Sequence, residues 1–407
     1  MIAHGNYDEQ YERFHGAAHS AWSRSVTTTE RRVAFVGCGY TDLTKKAELS
    51  EIELGLAACR MAAEDAGIDT ADLDGINIQV HHYPPPDTAV IVAGLGMREV
   101  KWEEDGGIGV TSLARAAGAL DAGVCDYIVV CKIMNTIAPV GTPLIDPDTG
   151  RVGGPGQFEV PYGLGYTMQR IGLTSRRWMD RYGITDEQVG WLCAMQRDGA
   201  QLNARSIFKD TLTVDDYLAS RWIADPVRLL DCDYPVNGAY AYVLTRDDLA
   251  RDLRHPPIHL LSWAIAPYDL LDHHFISEDL GQGPTPWLRE MYADAAVRPD
   301  ELDVWLLYDG FSFFALQWME SLGVVPRGES GNYCEGGTRI RFDGEHPVNP
   351  HGGQLSEGRM HGAGHVLEAI QQLRGTAGDR QAAKADHAVI TTAFANTGSA
   401  AILGRKD

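Results

Sequence analysis

The sequence lacks the features that mark disulfide-stabilised, metal-bound and membrane-spanning chains. Its seven cysteines are odd in number and include no Cys-x-x-Cys pair, so we expect free thiols in a reducing cytoplasm. No apolar run reaches the roughly 18 residues that a membrane span needs, and the polar first 30 residues contain no signal-peptide core. Basic residues are also scarce. The 35 Lys and Arg stand against 56 Asp and Glu, a net charge of −21 that argues against nucleic acid as a partner.

The remaining composition is that of an ordinary soluble globular chain. Hydrophobic residues make up 44% and charged residues 22% of the 407 residues, a length that corresponds to roughly two or three domains. A chain of this length buries a large core without a disulfide or a metal. Residues 1–30 are rich in His, Ser, Thr and charge, and they predict an arm that is disordered or docked on a partner. The composition therefore favours a cytoplasmic enzyme.

Apolar runs that alternate with helical patterns predict an α/β fold. One helix begins at Ser50, is supported by Glu53 three residues later and ends at Gly67. A second helix, rich in small residues, follows the glycines of 106–109. Because the strands are buried runs that alternate with helices, we expect a largely parallel sheet covered on both faces. The predicted strands are 32–39, 75–80, 126–131 and 387–394.

Two blocks of the sequence occur twice. Residues 66–78 align with residues 295–307, since in both a helix ends, an acidic turn carries Leu-Asp and an apolar strand begins. Residues 106–131 and 352–394 likewise each contain a glycine turn, a helix and a strand. A period of more than 200 residues indicates a duplicated domain rather than a solenoid.

Residues 349–362 carry a resemblance to a known family. They read Asn-Pro-His-Gly-Gly-Gln-Leu-Ser-Glu-Gly-Arg-Met-His-Gly and are similar to the thiolase segment Asn-x-x-Gly-Gly-x-x-x-x-Gly-His-Pro-x-Gly. Together with residues 220–232 and 308–311, this segment resembles the lipid-transfer-protein branch of the thiolase superfamily, which is related to the thiolase of sterol carrier protein X. The resemblance extends over residues 31–405. Similar members of this branch are aldolases of bacterial steroid side-chain breakdown.

The resemblance implies an architecture and partners. We expect a duplicated, thiolase-like, five-layered α/β/α/β/α fold that pairs as a homodimer. Its N-terminal half would be residues 31–255, with a loop insertion at about 135–220, and its C-terminal half residues 256–407. The glycine- and proline-rich residues 135–165 are expected to form a lid or binding loop. Members of the branch are often found with a small OB-fold, zinc-ribbon protein, so a heterotetramer with such a partner is expected.

The catalytic cysteines of thiolases are missing. The first falls on Gly106, the second falls near Ala393, and the histidine of the Gly-His-Pro motif is replaced by Arg359. A glycine has no side chain to acylate, so covalent thioester chemistry is excluded at that position. The chain is therefore not expected to work as a thiolase.

The residues that remain point to retro-aldol cleavage of a β-hydroxyacyl-CoA with a bulky, steroid-like acyl group. In similar aldolases a Tyr at the position of Tyr308 is implicated, with a second Tyr where this chain has Arg359. The reaction needs a base and donors for an enolate, but no metal or redox cofactor. We expect Arg359 to lower the pKa of Tyr308, with His361 as an alternative proton carrier. The residues expected to contact the CoA thioester are Gly106, Gly107, Tyr162, Asp309 and Gly353.

Each candidate residue also has a structural interpretation. A tyrosine at a strand end is usually packed, a lone arginine more often binds a phosphate or a partner, and a histidine at a helix start often caps it. These interpretations apply respectively to Tyr308 and Tyr162, to Arg359, and to His361 and His365. The adjacent histidines at 81–82 and 273–274 are expected in loops rather than at a metal.

Two other functions stay open on the sequence alone. One is a divergent thiolase or acyltransferase whose nucleophile is Cys125 or Cys131. The other is a non-catalytic subunit that binds acyl-CoA or lipid, which fits the loss of both thiolase cysteines and of the histidine.

Overall fold

The computed structural model describes residues 33–46, 48–79, 87–135, 157–266, 284, 286–394 and 398–405. The predicted N-terminal arm, the histidines at 81–82 and 273–274, and most of the predicted loop 135–165 lie outside these residues. Within the described ranges, none of the helices combines the length and the apolar character of a membrane span.

Eleven strands are present in the described residues, and nine of them form one hydrogen-bonded sheet. The sheet has the order β3-β2-β4-β7-β1-β8-β11-β10-β9, whereas β5 and β6 pair separately. The strands are β1 (Val33–Tyr40), β2 (Gly75–Gln79), β3 (Trp102–Asp105), β4 (Tyr127–Asn135), β5 (Trp222–Ala224), β6 (Val227–Arg228), β7 (Asn237–Arg246), β8 (Ile258–Ile265), β9 (Val304–Leu306), β10 (His387–Thr392) and β11 (Ser399–Gly404).

Helices cover both faces of this sheet. They are α1 (Glu51–Ala66), α2 (Thr88–Leu95), α3 (Val110–Asp121), α4 (Thr167–Tyr182), α5 (Asp186–Gln201), α6 (Val214–Ala219), α7 (Asp247–Ala250), α8 (Pro286–Ala295), α9 (Ser312–Ser321), α10 (Ser330–Cys334), α11 (Gly353–Ser356) and α12 (Ala363–Arg374). The predicted start and end of α1 are confirmed. Ser50 and Glu53 form a reciprocal capping box, and Gly67 ends the helix with a left-handed φ of 76°.

The expectation of a largely parallel sheet is wrong. Only β2 with β3, β2 with β4, and β9 with β10 pair in parallel, and the other five neighbouring pairs are antiparallel. The reason lies in β7 and β11, which run antiparallel to their neighbours yet are buried, β11 along its whole length and β7 up to its last residue. Burial on both faces gives a continuous apolar run whatever the strand direction, so the sequence pattern cannot separate the two cases.

Alternate residues along each strand enter different cores, which produces five layers. In β1, Ala34 and Val36 pack in an outer core with α1, whereas Val33 and Phe35 join a central core that contains α3 and α12. A second outer core lies on the other half of the sheet and contains α8 and α9. Among the described residues, the two halves of the sheet are hydrogen-bonded to each other where Val33–Phe35 pairs with Ile258–Leu260. The layers are therefore helix, sheet, helix, sheet, helix.

The duplication seen in the sequence is visible in the strand order. Reading outward from the join, β1-β7-β4-β2 in the N-terminal half matches β8-β11-β10-β9 in the C-terminal half. In residues 66–78 and 295–307, a helix ends and a short 3-10 turn leads into β2 or β9. The central helices α3 and α12 each precede the equivalent strands β4 and β10. The exact halves 31–255 and 256–407 stay a prediction.

The edge strand β9 is completed by a side chain. The buried Asn349 accepts a hydrogen bond from the backbone N–H of Leu307 and donates one to the Leu307 carbonyl, both at 2.8 Å. Its own backbone N–H donates to the Trp305 carbonyl at 3.0 Å. The Asn349 amide thus takes the place of a neighbouring strand immediately before Tyr308. Asn349 itself has a left-handed φ of 47°.

We expect Asn349→Ala to lower the free energy of unfolding by about 2–4 kcal/mol, because it leaves the N–H and carbonyl of Leu307 buried without partners. Asn349→Gly removes the same hydrogen bonds but adopts the left-handed backbone readily, so it should cost about 1 kcal/mol less. Chemical denaturation of the three proteins measures both differences. A wild-type midpoint for Asn349→Ala would show that this contact does not stabilise the fold.

Candidate active site

The ends of β9 and β10 and the starts of both central helices meet at Thr391 and Thr392. The backbone N–H of Tyr308 donates to Thr391 Oγ1 at 2.7 Å. The N–H of Val110, the first residue of α3, donates to Thr392 Oγ1 at 3.2 Å. A Cβ on Gly362, the N-cap of α12, would lie 3.5 Å from the same oxygen. Two buried helices therefore begin beside Tyr308, and their N-terminal partial charges favour negative charge that develops there.

Tyr308 is half-buried and its phenol is held in the protonated form. Burial raises the pKa of Tyr308 above its ordinary value, and the carboxylates of Asp233 and Asp309 raise it further. Arg359 lowers this pKa, as does a hydrogen bond from the Gln354 amide, but they do not outweigh the first two effects. Arg359 thus lowers the pKa of Tyr308 as expected, but the net shift of this pKa is upward. At neutral pH the phenol is a hydrogen-bond donor.

Arg359 forms a partly buried ion pair that sequence reasoning missed. Its Nε and Nη2 atoms donate to Asp233 Oδ1 at 2.8 Å and 2.6 Å. The backbone N–H of Arg359 also donates to the Tyr234 carbonyl at 2.8 Å. The guanidinium is thereby fixed next to Tyr308, and its charge is balanced by Asp233. The two partners are 126 residues apart, so no local pattern links them.

His361 lies at the start of α12 in a strained backbone conformation. Its φ of 51° is left-handed, a conformation that costs a non-glycine residue roughly 1–2 kcal/mol, and its side chain is buried. The next residue, Gly362, is the N-cap of α12 and lies beside Thr392. His361 therefore lies next in sequence to the glycine that lies beside the end of β10.

The three glycines expected to contact substrate differ in their surroundings. A Cβ on Gly106 would have no heavy atom within 4 Å among the described residues, so this turn borders open space. A Cβ on Gly107 would collide with the Ser112 hydroxyl, and one on Gly353 would collide with the Asp309 carboxylate. Close packing is therefore sufficient reason for glycine at 107 and 353, whereas Gly106 is the one with room beside it.

The other two expected substrate contacts lie at opposite extremes of exposure. Asp309 is fully buried, and its carboxylate accepts hydrogen bonds from the backbone N–H groups of Gln354 at 3.0 Å and Leu355 at 3.5 Å. It therefore caps the short helix α11. Tyr162 is 85% exposed in a 3-10 turn, so the packed interpretation of its ring is wrong.

The cysteines of the acyltransferase alternative do not lie at this turn. Cys125 Sγ would be 3.3 Å from a Cβ on Gly75, the first residue of β2. At the other end of β2, Gln79 Oε1 accepts a hydrogen bond from the N–H of Gly109. Cys125 is therefore separated from the glycine turn by the length of a strand. Cys131 is fully buried in the outer core on α1. Neither position favours a thiol nucleophile at the site.

A network of buried charged side chains connects the segment 349–362 to residues 203–205 and to α12. Arg205 Nε donates to Glu357 Oε1 at 2.8 Å, and Arg205 also lies 3.5 Å from Glu368 Oε2. Arg380 Nε donates to both carboxylate oxygens of Glu368 at 3.0 Å. Asn203 Nδ2 donates to Glu357 Oε1 at 3.0 Å. Sequence reasoning missed this network because Arg205 and Glu357 are 152 residues apart.

Comparison with known proteins gives one consistent result. A family model described as "Thiolase C-terminal domain-like" matches residues 289–405. The "17-hydroxy-3-oxo-4-pregnene-20-carboxyl-CoA lyase" of Mycobacterium tuberculosis is 31% identical over 385 residues, which is 92% of this chain and 99% of that protein. A "Steroid side-chain-cleaving aldolase" of Thermomonospora curvata is 30% identical over 359 residues, 84% of this chain and 90% of that protein. The solved structure "Ltp2-ChsH2(DUF35) aldolase" has a TM-score of 0.81 and 28% identity, and the match covers 92% of this chain and 98% of that one.

The fold and these relatives define a thiolase-like protein of the carbon–carbon lyase type. The chain belongs to the thiolase superfamily, in the sterol-carrier-type branch that contains the steroid side-chain aldolases. The family, the five-layered fold and the lyase class predicted from the sequence are confirmed.

We expect iodoacetamide at neutral pH to modify the native protein slowly and to leave its activity largely intact. Burial raises the pKa of Cys38 and Cys125 to about 12, and it raises the pKa values of Cys193, Cys232 and Cys334 as well. Little reactive thiolate is therefore present. Intact-mass measurement checks the result, with the denatured protein as the control for complete alkylation. Rapid modification that abolishes activity without unfolding would reveal a thiol nucleophile.

Proposed function

We propose that this protein cleaves a β-hydroxyacyl-CoA with a bulky, steroid-like acyl group by a retro-aldol reaction. The products are a short acyl-CoA and a ketone or aldehyde. The observation that carries the proposal is Tyr308, whose backbone N–H bonds Thr391 beside the residue where α3 and α12 begin and whose phenol lies near Arg359. The glycine turn before α3 carries no thiol. The names of the two relatives, a CoA-ester lyase and a side-chain-cleaving aldolase, support the same reaction and substrate class.

The proposed reaction divides into removal of a proton and acceptance of an electron pair. A base takes the proton from the β-hydroxyl group, the carbinol carbon becomes a carbonyl, and the bond between the α and β carbons breaks. The electron pair passes to the thioester as an enolate, which then takes a proton at the α carbon. The Tyr308 phenol donates a hydrogen bond to the enolate oxygen, and the starts of α3 and α12 stabilise its charge.

Arg359 and the expected substrate contacts have defined parts in this proposal. Arg359, balanced by Asp233, holds a positive charge near the forming enolate without removing the proton of Tyr308. Gly106 leaves room for the thioester, as its open side indicates. Tyr162 presents an exposed ring to the substrate or to a partner. For His361, the role of alternative proton carrier stays a prediction from the sequence.

We further propose that the chain works in the cytoplasm as a homodimer with a small OB-fold, zinc-ribbon partner, together forming a heterotetramer. The support for a partner is the similar structure "Ltp2-ChsH2(DUF35) aldolase", in which Ltp2 is joined with ChsH2(DUF35). Sedimentation of the protein purified alone, and then with a co-expressed partner of that type, measures both associations.

The decisive experiment incubates the purified protein, alone and with such a partner, with 17-hydroxy-3-oxo-4-pregnene-20-carboxyl-CoA in the absence of free CoA. We expect a 17-ketosteroid and a shorter acyl-CoA, detected by chromatography and mass spectrometry. Turnover that requires free CoA would instead favour an acyltransferase. Tight binding with no product under either condition would favour a non-catalytic subunit.

We expect Tyr308→Phe to lower kcat about 10²–10⁴-fold, because one donor to the enolate is lost. The ring and its packing remain, so the Kd for acyl-CoA should change little. Arg359→Ala should cause comparable damage, and the double variant should be little worse than either single one if both serve one step. Tyr292→Phe is the matched control, since its hydroxyl is also buried but donates to the Leu322 carbonyl. Near-normal turnover by Tyr308→Phe would assign the chemistry to other residues.

A further inference from the structure

Two buried histidines lie directly behind the site. His351 and His365 are both fully buried, and their rings are perpendicular with centroids 5.2 Å apart. None of their four ring nitrogens makes a hydrogen bond of good geometry within the described residues. Buried polar groups in native proteins are nearly always hydrogen-bonded, and exceptions concentrate at functional sites. The missing hydrogen bonds of these ring nitrogens therefore suggest a functional role for at least one of the two histidines.

The two histidines differ in what faces them. His365 Nε2 lies 3.2 Å from Asp309 Oδ1, and Asp309 is held in place by the backbone N–H groups at the start of α11. His351 Nε2 is 3.7 Å from Glu357 Oε2, and burial holds the pKa of His351 well below its usual value. His351 is thus a neutral packing residue, whereas His365 has a fixed carboxylate beside one nitrogen.

The other nitrogen of His365 faces the turn where the helices begin. At the point where a Cβ on Gly362 would stand, the nearest atoms are Thr392 Oγ1 at 3.5 Å, the Thr391 carbonyl at 3.6 Å and His365 Nδ1 at 3.7 Å. Because residue 362 is glycine, this polar niche is not filled by a side chain. It adjoins Tyr308, whose backbone N–H donates to Thr391. One hydroxyl and two acceptors, all on buried residues, therefore surround this point, and these are the kinds of partner that a substrate hydroxyl group pairs with.

We propose that His365, oriented by Asp309, is the base that accepts the β-hydroxyl proton. The inference rests on the proposed function and deepens it by naming the base. The proton passes from the substrate oxygen to His365 Nδ1 while the ring N–H on Nε2 faces Asp309. The electron pair of that O–H bond forms the new carbonyl, and the pair of the broken carbon–carbon bond enters the enolate held by Tyr308. No oxidant, reductant or cofactor takes part.

The division of roles follows from the two residues at the end of β9. The Tyr308 phenol carries its own proton at neutral pH and is a hydrogen-bond donor. An imidazole beside a carboxylate is a common base for a hydroxyl group. Asp309, directly after Tyr308 in the chain, supplies that carboxylate. The remaining charged or titratable groups around the pair of rings are His351, Glu357, Glu368, Arg205 and Arg380.

The test compares His365→Ala with His351→Ala, which removes an imidazole of equal size from the same pocket. With the steroid CoA ester above, His365→Ala should lower kcat about 10²–10⁴-fold and leave the Kd for acyl-CoA nearly unchanged. Added imidazole and related amines should restore part of kcat, in the order of their basicity, because the deletion leaves space for them. His351→Ala is expected to lose stability but to keep kcat within a few-fold, with no rescue.

His365→Gln gives a second readout that a structural role would not move, and it also serves where His365→Ala does not fold. It removes the base but fills the space of the ring, so kcat should fall as in His365→Ala while added amines restore nothing. Wild-type kcat in these variants, or a loss in His365→Ala without rescue, would overturn the assignment of His365 alone. Absence of cleavage by the wild-type protein with its partner would instead overturn the proposed function, and the inference with it.

Discussion

The hydroxyl of Thr392 is the contact on which the site depends. It accepts the first N–H of α3 and lies beside the glycine that begins α12, so both buried helices start at one point. The two helices come from different halves of the duplicated chain, and the central core between the sheet halves holds them there. A duplicated fold thereby directs two helix dipoles at one small volume. The strand end that carries Tyr308 is fixed to the same point through Thr391.

The thiolase fold is retained here, but the described residues place no cysteine nucleophile at the site. At the position predicted from the sequence to match the thiolase cysteine, this chain has Gly106 with open space beside it among the described residues. Its thiols lie in cores or have raised pKa values. What persists is an electrostatic environment suited to negative charge on a thioester oxygen. Thiolase chemistry and retro-aldol cleavage both pass through charge at that oxygen. The loss of the nucleophile therefore leaves the part of the site that both reactions need.

The sequence was sufficient for the local features and for the family. The capping box at Ser50, the repeated helix–turn–strand blocks and the motif at 349–362 each lie within a short stretch, and each predicted its structure correctly. Strand direction was not predictable, because β7 and β11 are buried on both faces like parallel strands. The lowering effect of Arg359 on the pKa of Tyr308 was predicted, but the net rise was not, since it depends on burial and on Asp233, which is distant in sequence. The Arg359–Asp233 pair is likewise visible only in the folded chain.

The buried network below residues 349–362 also bears on how such a chain can be altered by recombination. Asn203 and Arg205 lie between α5 and α6, yet their partners Glu357 and Glu368 belong to the C-terminal third of the chain. In a chimaera, the stretch around Arg205 could be replaced by that of a relative lacking this arginine. The buried carboxylate of Glu357 would then lose its ion-pair partner. Removing one partner of a buried ion pair commonly costs about 3–5 kcal/mol. The two regions must therefore be inherited or redesigned together, although 152 residues separate Arg205 from Glu357.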